Sequence, residues 1–138
     1  MAYIIGWLDE QNILSDGSKL LYLSAQRQLD SQNYYWVNDA GELSGDTPIN
    51  ASGSWTSGYW YLNEPSFRDG DTDEYCLDLF NKDGYWYLND VPGDIVAYAS
   101  MYAGKVGYIC EYEAQNSPSV QVLHANQPRD LAVQVRSM

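Results

Sequence analysis

Apolar and polar residues along this chain are grouped in short spans bounded by turn formers. Ala2–Trp7 (AYIIGW), Asn33–Asn38 (NYYWVN), Gly58–Asn63 and Gly84–Asn89 (both GYWYLN), Glu74–Phe80 (EYCLDLF) and Val106–Tyr112 (VGYICEY) are rich in aromatic and branched residues and flanked by Gly, Asn, Asp or Pro. That is the pattern of strands in an antiparallel sheet. Ser18–Leu29 (SKLLYLSAQRQL) reads differently, with Ser18 as a cap and Leu20, Leu21, Leu23 and Leu29 on or near one face, and predicts a helix of about three turns. The fold class expected is α+β, predominantly antiparallel β, with little helix.

Asn38–Gly58 is a run of turn formers with little periodicity, longer than a compact domain normally leaves irregular, and long loops of this kind usually carry function. After Glu113 the composition changes: AQNSPS reads as a linker, while VQVLH and LAVQVR flank ANQPRD like the arms of a hairpin. The expected division is a domain over 1–113, followed by 114–138 as a linker plus an extra strand pair or the start of another module.

Composition narrows the function classes. The chain has 138 residues, enough for one compact domain with its own core. Its 19 acidic and 7 basic residues give a net charge of -12, which repels phosphate backbones and anionic membranes and argues against nucleic acid as a partner. No apolar run approaches the roughly 20 residues that would span a bilayer, so membrane insertion is not expected. With 13 Tyr and 5 Trp against 2 Phe, the aromatic content favours rings that pair an apolar face with a polar handle. The single histidine, His124, excludes a His-based triad or zinc site within this chain.

The chemistry concentrates around the repeated hexapeptide. Between its copies, Asp69–Glu74 (DGDTDE) places Asp69, Asp71, Asp73 and Glu74 within six residues, like charges whose repulsion a hard cation with oxygen ligands relieves. Calcium suits an irregular loop better than magnesium. The stretch is not an EF-hand loop, because counting from Asp69 puts Glu74 where glycine is required and Phe80 where an acid is required. Each hexapeptide copy ends in an amide followed by a carboxylate, Asn63-Glu64 and Asn89-Asp90, with a proline close behind. If the two strands are neighbours, these groups converge with Glu74 on one ion.

EPS at Glu64–Ser66, DEYC at Asp73–Cys76, WYLNDVP at Trp86–Pro92 and YICE at Tyr108–Glu111, in that order, resemble the C-type lectin-like domain. Its pattern is Glu-Pro-Asn, an acid just before a cysteine, Trp-Asn-Asp, and a closing Ile-Cys-Glu. YIIGW and YYWVNDAG are set against its Trp-Ile-Gly-Leu strand and Trp-x-Trp-x-Asp-Gly segment. The resemblance covers about residues 55 to 113 and implies a calcium-dependent site in which the ion ligates neighbouring sugar hydroxyls. Carried over, Glu64, Glu74, Asn89 and Asp90 are the ligands, with Pro65 in the cis form. Ser66, Asp71 and Asp73 complete the candidate metal set, and Glu64, Ser66, Glu74, Asn89, Trp60 and Trp86 the candidate sugar contacts. Glu64 tips the expectation toward mannose, fucose or glucose-type sugars.

The chain departs from the family at several points. Ser66 replaces an asparagine that would both ligate the ion and bond the sugar, and Tyr87 and Leu88 separate Trp86 from Asn89. Cys76 and Cys110 resemble the second and last family cysteines, which belong to different bridges, and Gly93 stands near one of the missing partners. They read as two free, buried thiols. On this alignment the family's two helices have no counterpart before YIIGW, which implies a cut-down or rearranged variant.

The function expected is a non-catalytic, calcium-dependent carbohydrate-binding module of a larger extracellular or cell-surface adhesin, its ligand a cell-surface or glycoprotein glycan and its strength a product of multivalency. The alternative is a protein-binding domain of the same fold with structural calcium or none. A small glycoside hydrolase ranks third, since paired carboxylates beside Trp and Tyr also describe such enzymes.

Overall fold

The computed structural model describes residues 1–114, 117–124 and 133–136, and at Ser15, at Asp16 and from Cys110 onward it describes the backbone alone. Two α-helices, α1 (Ala2–Glu10) and α2 (Ile95–Tyr98), accompany ten strands among these residues. The strands are β1 (Leu20–Gln26), β2 (Tyr35–Val37), β3 (Leu43–Ser44), β4 (Arg68–Asp69), β5 (Thr72–Asp73), β6 (Cys76–Lys82), β7 (Tyr85–Val91), β8 (Val106–Ala114), β9 (Ser117–His124) and β10 (Val133–Arg136). The fold is mostly antiparallel sheet with few helices, and no helix among the described residues is long and apolar enough to cross a membrane.

β1 is the centre of the sheet, not a helix. It pairs antiparallel with β6 from Leu20 to Gln26. It also pairs parallel with β8 from Leu20 to Leu23 and antiparallel with β2 at Ala25 and Gln26. Both of its faces are buried. Leu21, Leu23 and Ala25 join a main core with Leu77, Leu79, Trp86, Leu88 and Ile109. Leu20 and Tyr22 join a second core with Cys76, Val91, Ile95 and Val106, capped by the α2 region. A strand covered on both sides reads as a continuous apolar run, and periodicity cannot tell such a run from a buried helix.

The opposite correction applies to AYIIGW, which is helical. Met1, Ile4, Ile5 and Leu8 recur at three- and four-residue spacing and meet the main core, which a strand would split between two faces. β8 continues into an antiparallel ladder with β9 that runs from Gly107–His124 to Ala114–Ser117, and β10 pairs with β9. Beyond Glu113, β9 takes in VQVLH and β10 falls within LAVQVR.

The two hexapeptide copies lie side by side but differ in form. The second is β7, paired along its length with β6. The first is a turn-rich segment that meets β7 through a single parallel bridge, Trp60 to Leu88. There the Tyr61 amide donates to the Leu88 carbonyl at 2.9 Å and the Leu88 amide to the Tyr59 carbonyl at 2.7 Å.

Candidate functional site

The carboxylates gather where the end of β1, the approach to β6 and the end of β7 meet the Asn63–Phe67 loop. Glu64, Glu74 and Asp90 each offer a carboxylate oxygen within 4.8 Å of the other two, a group that can hold a metal ion. Glu74 and Asp90 are buried and Glu64 is half-buried. The Glu64–Pro65 bond is cis.

Ser66 ties the three acids together. Its amide donates to Glu64 Oε2 at 2.8 Å and to Asp90 Oδ1 at 3.0 Å, and its hydroxyl donates to Glu74 Oε2 at 2.8 Å. Asp90 Oδ2 accepts further bonds from the Phe67 amide at 2.7 Å and the Tyr34 hydroxyl at 2.8 Å. Asn63 and Phe67 bracket the loop with φ of 67° and 66°, a left-handed conformation seldom taken by a phenylalanine.

Arg27, which the sequence reading did not single out, fastens this loop to the sheet. Its buried guanidinium donates to the carbonyls of Glu74 at 2.8 Å and Phe67 at 2.6 Å, and to those of Gln28, Leu29 and Ser31. The Arg27 carbon also lies 5.5 Å from the Phe67 ring centroid. All five acceptors are neutral, so the cation holds the loops without neutralising the acids.

The electrostatics follow. Burial first, then the charges of Asp90, Glu64 and Asp69, push the Glu74 carboxyl up to about 7 against the Ser66 hydrogen bond. Burial and the neighbouring Asp90 also raise Glu64. Burial, then Asp90, raises the Tyr34 hydroxyl, keeping it a donor. Raised carboxyls at Glu64 and Glu74 beside a third carboxylate are the charge pattern a divalent cation relieves. Glu64, Glu74 and Asp90 each offer one oxygen of the kind calcium accepts.

Other candidate residues lie elsewhere. The pleat of β7 carries Trp86, Leu88 and Asp90 on one face and sends Asn89 to the other, where it stands across from Asp78. Asp71 is exposed in the β4–β5 turn, 3.7 Å from Arg68, and Asp73 is exposed on β5. Asp69 accepts the Tyr98 hydroxyl at 2.7 Å. Only Glu74 of the acidic stretch therefore reaches the cluster. Trp86, expected at a sugar, is 5% exposed in the main core. Trp60 is half-buried, its indole donating to the Thr56 hydroxyl at 3.2 Å.

Cys76 is free and buried, and burial pushes its thiol up to about 11. The Cys110 side chain lies outside the described residues. No protein-family model, curated protein or solved structure matches this chain.

Proposed function

We propose that the protein is a calcium-dependent carbohydrate-binding module of C-type lectin type, with Glu64, Glu74 and Asp90 holding the ion. The observation that carries this reading is the convergence of those carboxylates from three chain segments onto one point. The resemblance implied Glu64, Glu74, Asn89 and Asp90 as ligands, and the carboxylates of Glu64, Glu74 and Asp90 lie together.

When bound, calcium supplies open coordination positions that accept two neighbouring sugar hydroxyls. The chain's own contribution is the acceptor set around those hydroxyls. Glu64, the more exposed acid, accepts hydrogen bonds from the sugar hydroxyls, while the buried Glu74 and Asp90 hold the ion. Ser66 bonds all three acids through two donors, so its hydroxyl positions Glu74 where the family's asparagine would ligate and donate. The reading places the module in an extracellular or cell-surface adhesin, with no catalytic role.

The test is a thermal melt in millimolar calcium and in excess chelator, followed by a glycan array in calcium with Glu64→Gln alongside. A ligand that binds the folded state alone raises the midpoint. Calcium is expected to raise it, and glycan binding to vanish with chelator and with Glu64→Gln. An unmoved midpoint together with chelator-resistant partner binding would instead support a protein-binding domain.

A further inference from the structure

Two exposed tryptophans outside the carboxylate cluster have no part in it. Trp36 on β2 and Trp55 in the loop that follows are 38% and 52% exposed. Their ring planes are 9° apart with centroids 6.3 Å apart. Among the described residues from 30 to 61 they are the large apolar side chains left exposed.

Their backbones are held firmly. Trp36 is paired with Ala25 on one side and with Ser44 on the other. Trp55 sits between Ser54 and Thr56, whose hydroxyls both donate to the Ile49 carbonyl, at 2.8 and 2.6 Å. Thr56 is fully buried. The rings therefore stand pre-organised, which lowers the ordering cost of binding.

We propose that Trp36 and Trp55 form a second carbohydrate platform, which takes the apolar face of a neutral pyranose without an ion. A pyranose offers a C–H face that lies on an indole and a hydroxyl edge that seeks hydrogen-bonding groups. The chain around Trp55 supplies the second half of that match: from Ser44 to Gly58 the only charged residue is Asp46, among Ser44, Thr47, Asn50, Ser54 and other short polar side chains. Polyanions are disfavoured by the net charge of -12. A protein partner would need roughly 800 Å² of surface on each side, more than two rings edged by hydroxyls provide.

The platform lies close to the carboxylate cluster along the chain. Trp36 stands two residues after Tyr34, whose hydroxyl bonds Asp90. The platform needs no ion and therefore works in chelator.

The experiment is electrophoresis in native gels containing mannan, dextran or laminarin, run in chelator so that the carboxylate site is silent. At least one polysaccharide is expected to retard the wild type and Glu74→Gln alike. Trp36→Ala and Trp55→Ala should each weaken binding about tenfold, and the double variant should run as in a plain gel. Trp55→Phe should keep part of the retardation. Quenching of wild-type tryptophan fluorescence by acrylamide gives a readout that needs no variant, and the retarding polysaccharide should reduce it. Retardation by none of the three, retardation that survives the double variant, or unchanged quenching would overturn the proposal. Loss of calcium-dependent binding with Glu74→Gln bears on the carboxylate site alone.

Discussion

Glu74 should make the calcium-free protein lose stability as pH rises. Its carboxyl titrates near 7 in the folded state instead of at the ordinary 4.5. The folded chain thus holds a proton that the unfolded chain has released, and the stability this confers is full below about 4.5 and gone above about 7. Between about pH 5 and pH 8 the loss is about 2.5 kcal/mol, or about 2 kcal/mol after discounting for solvent on the open side of the cluster. For a domain of this size that corresponds to about 6 °C in the thermal midpoint. Asp78 and Glu64 are raised in the same direction, so the informative quantity is the difference between wild type and Glu74→Gln. Melts followed by circular dichroism in chelator should show a midpoint falling about 6 °C further in wild type than in the variant. Calcium should stabilise more at pH 8 than at pH 5, because protons compete for the same oxygens. Equal pH slopes in the two proteins, or equal calcium gains at both pH values, would refute the reasoning.

Three further substitutions probe the scaffold. Asp78 is fully buried in the second core, with no hydrogen-bond partner of good geometry for either oxygen. Burial, then Asp90, raises its carboxyl well above the usual range, so Asp78→Asn should stabilise the fold at pH 8 by about 1–3 kcal/mol, read as a higher midpoint, and change little at pH 4. Arg27→Ala strands five carbonyls, those of Phe67 and Glu74 at the site among them, and should cost about 3–5 kcal/mol in denaturant melts while abolishing the calcium response. Trp86→Ala should cost about 3–5 kcal/mol as a core deletion, and a glycan array on the surviving folded fraction should show unchanged specificity.

Much of the sheet was legible in the sequence because its strands alternate or end in turn formers, as in EYCLDLF and the second GYWYLN. The errors fall where periodicity is silent or where composition points away from it. LLYLSAQ is apolar on both faces, so its leucines suit a strand at the centre of the sheet as well as a helix. AYIIGW has strand-like composition, but its apolar positions match one helical face. The two hexapeptides show the reach of context: identical sequences become a strand beside β6 and a turn at the edge. At the site, Glu64, Glu74 and Asp90 were identifiable as carboxylates beside strand ends, and Asn89 was misplaced because adjacent strand residues face opposite ways. Arg27 left no signal, since its acceptors are backbone carbonyls far away in sequence. The pairing of Trp55 with Trp36 left no signal in the sequence, since it exists only once β2 and the loop after β3 come together.

The guanidinium of Arg27 joins residues 28–31, the Phe67 turn and the approach to β6 through its acceptors. Segments pinned to one cation cannot open independently: releasing any of them leaves the others bonded to a charge newly exposed to water. The rim of the site and the end of the central strand are therefore one cooperative unit in native-state opening. A peptide spanning Glu64 to Asp90 would contain every carboxylate of the cluster and still lack the site, because the residue that gives the loop its shape lies outside that interval.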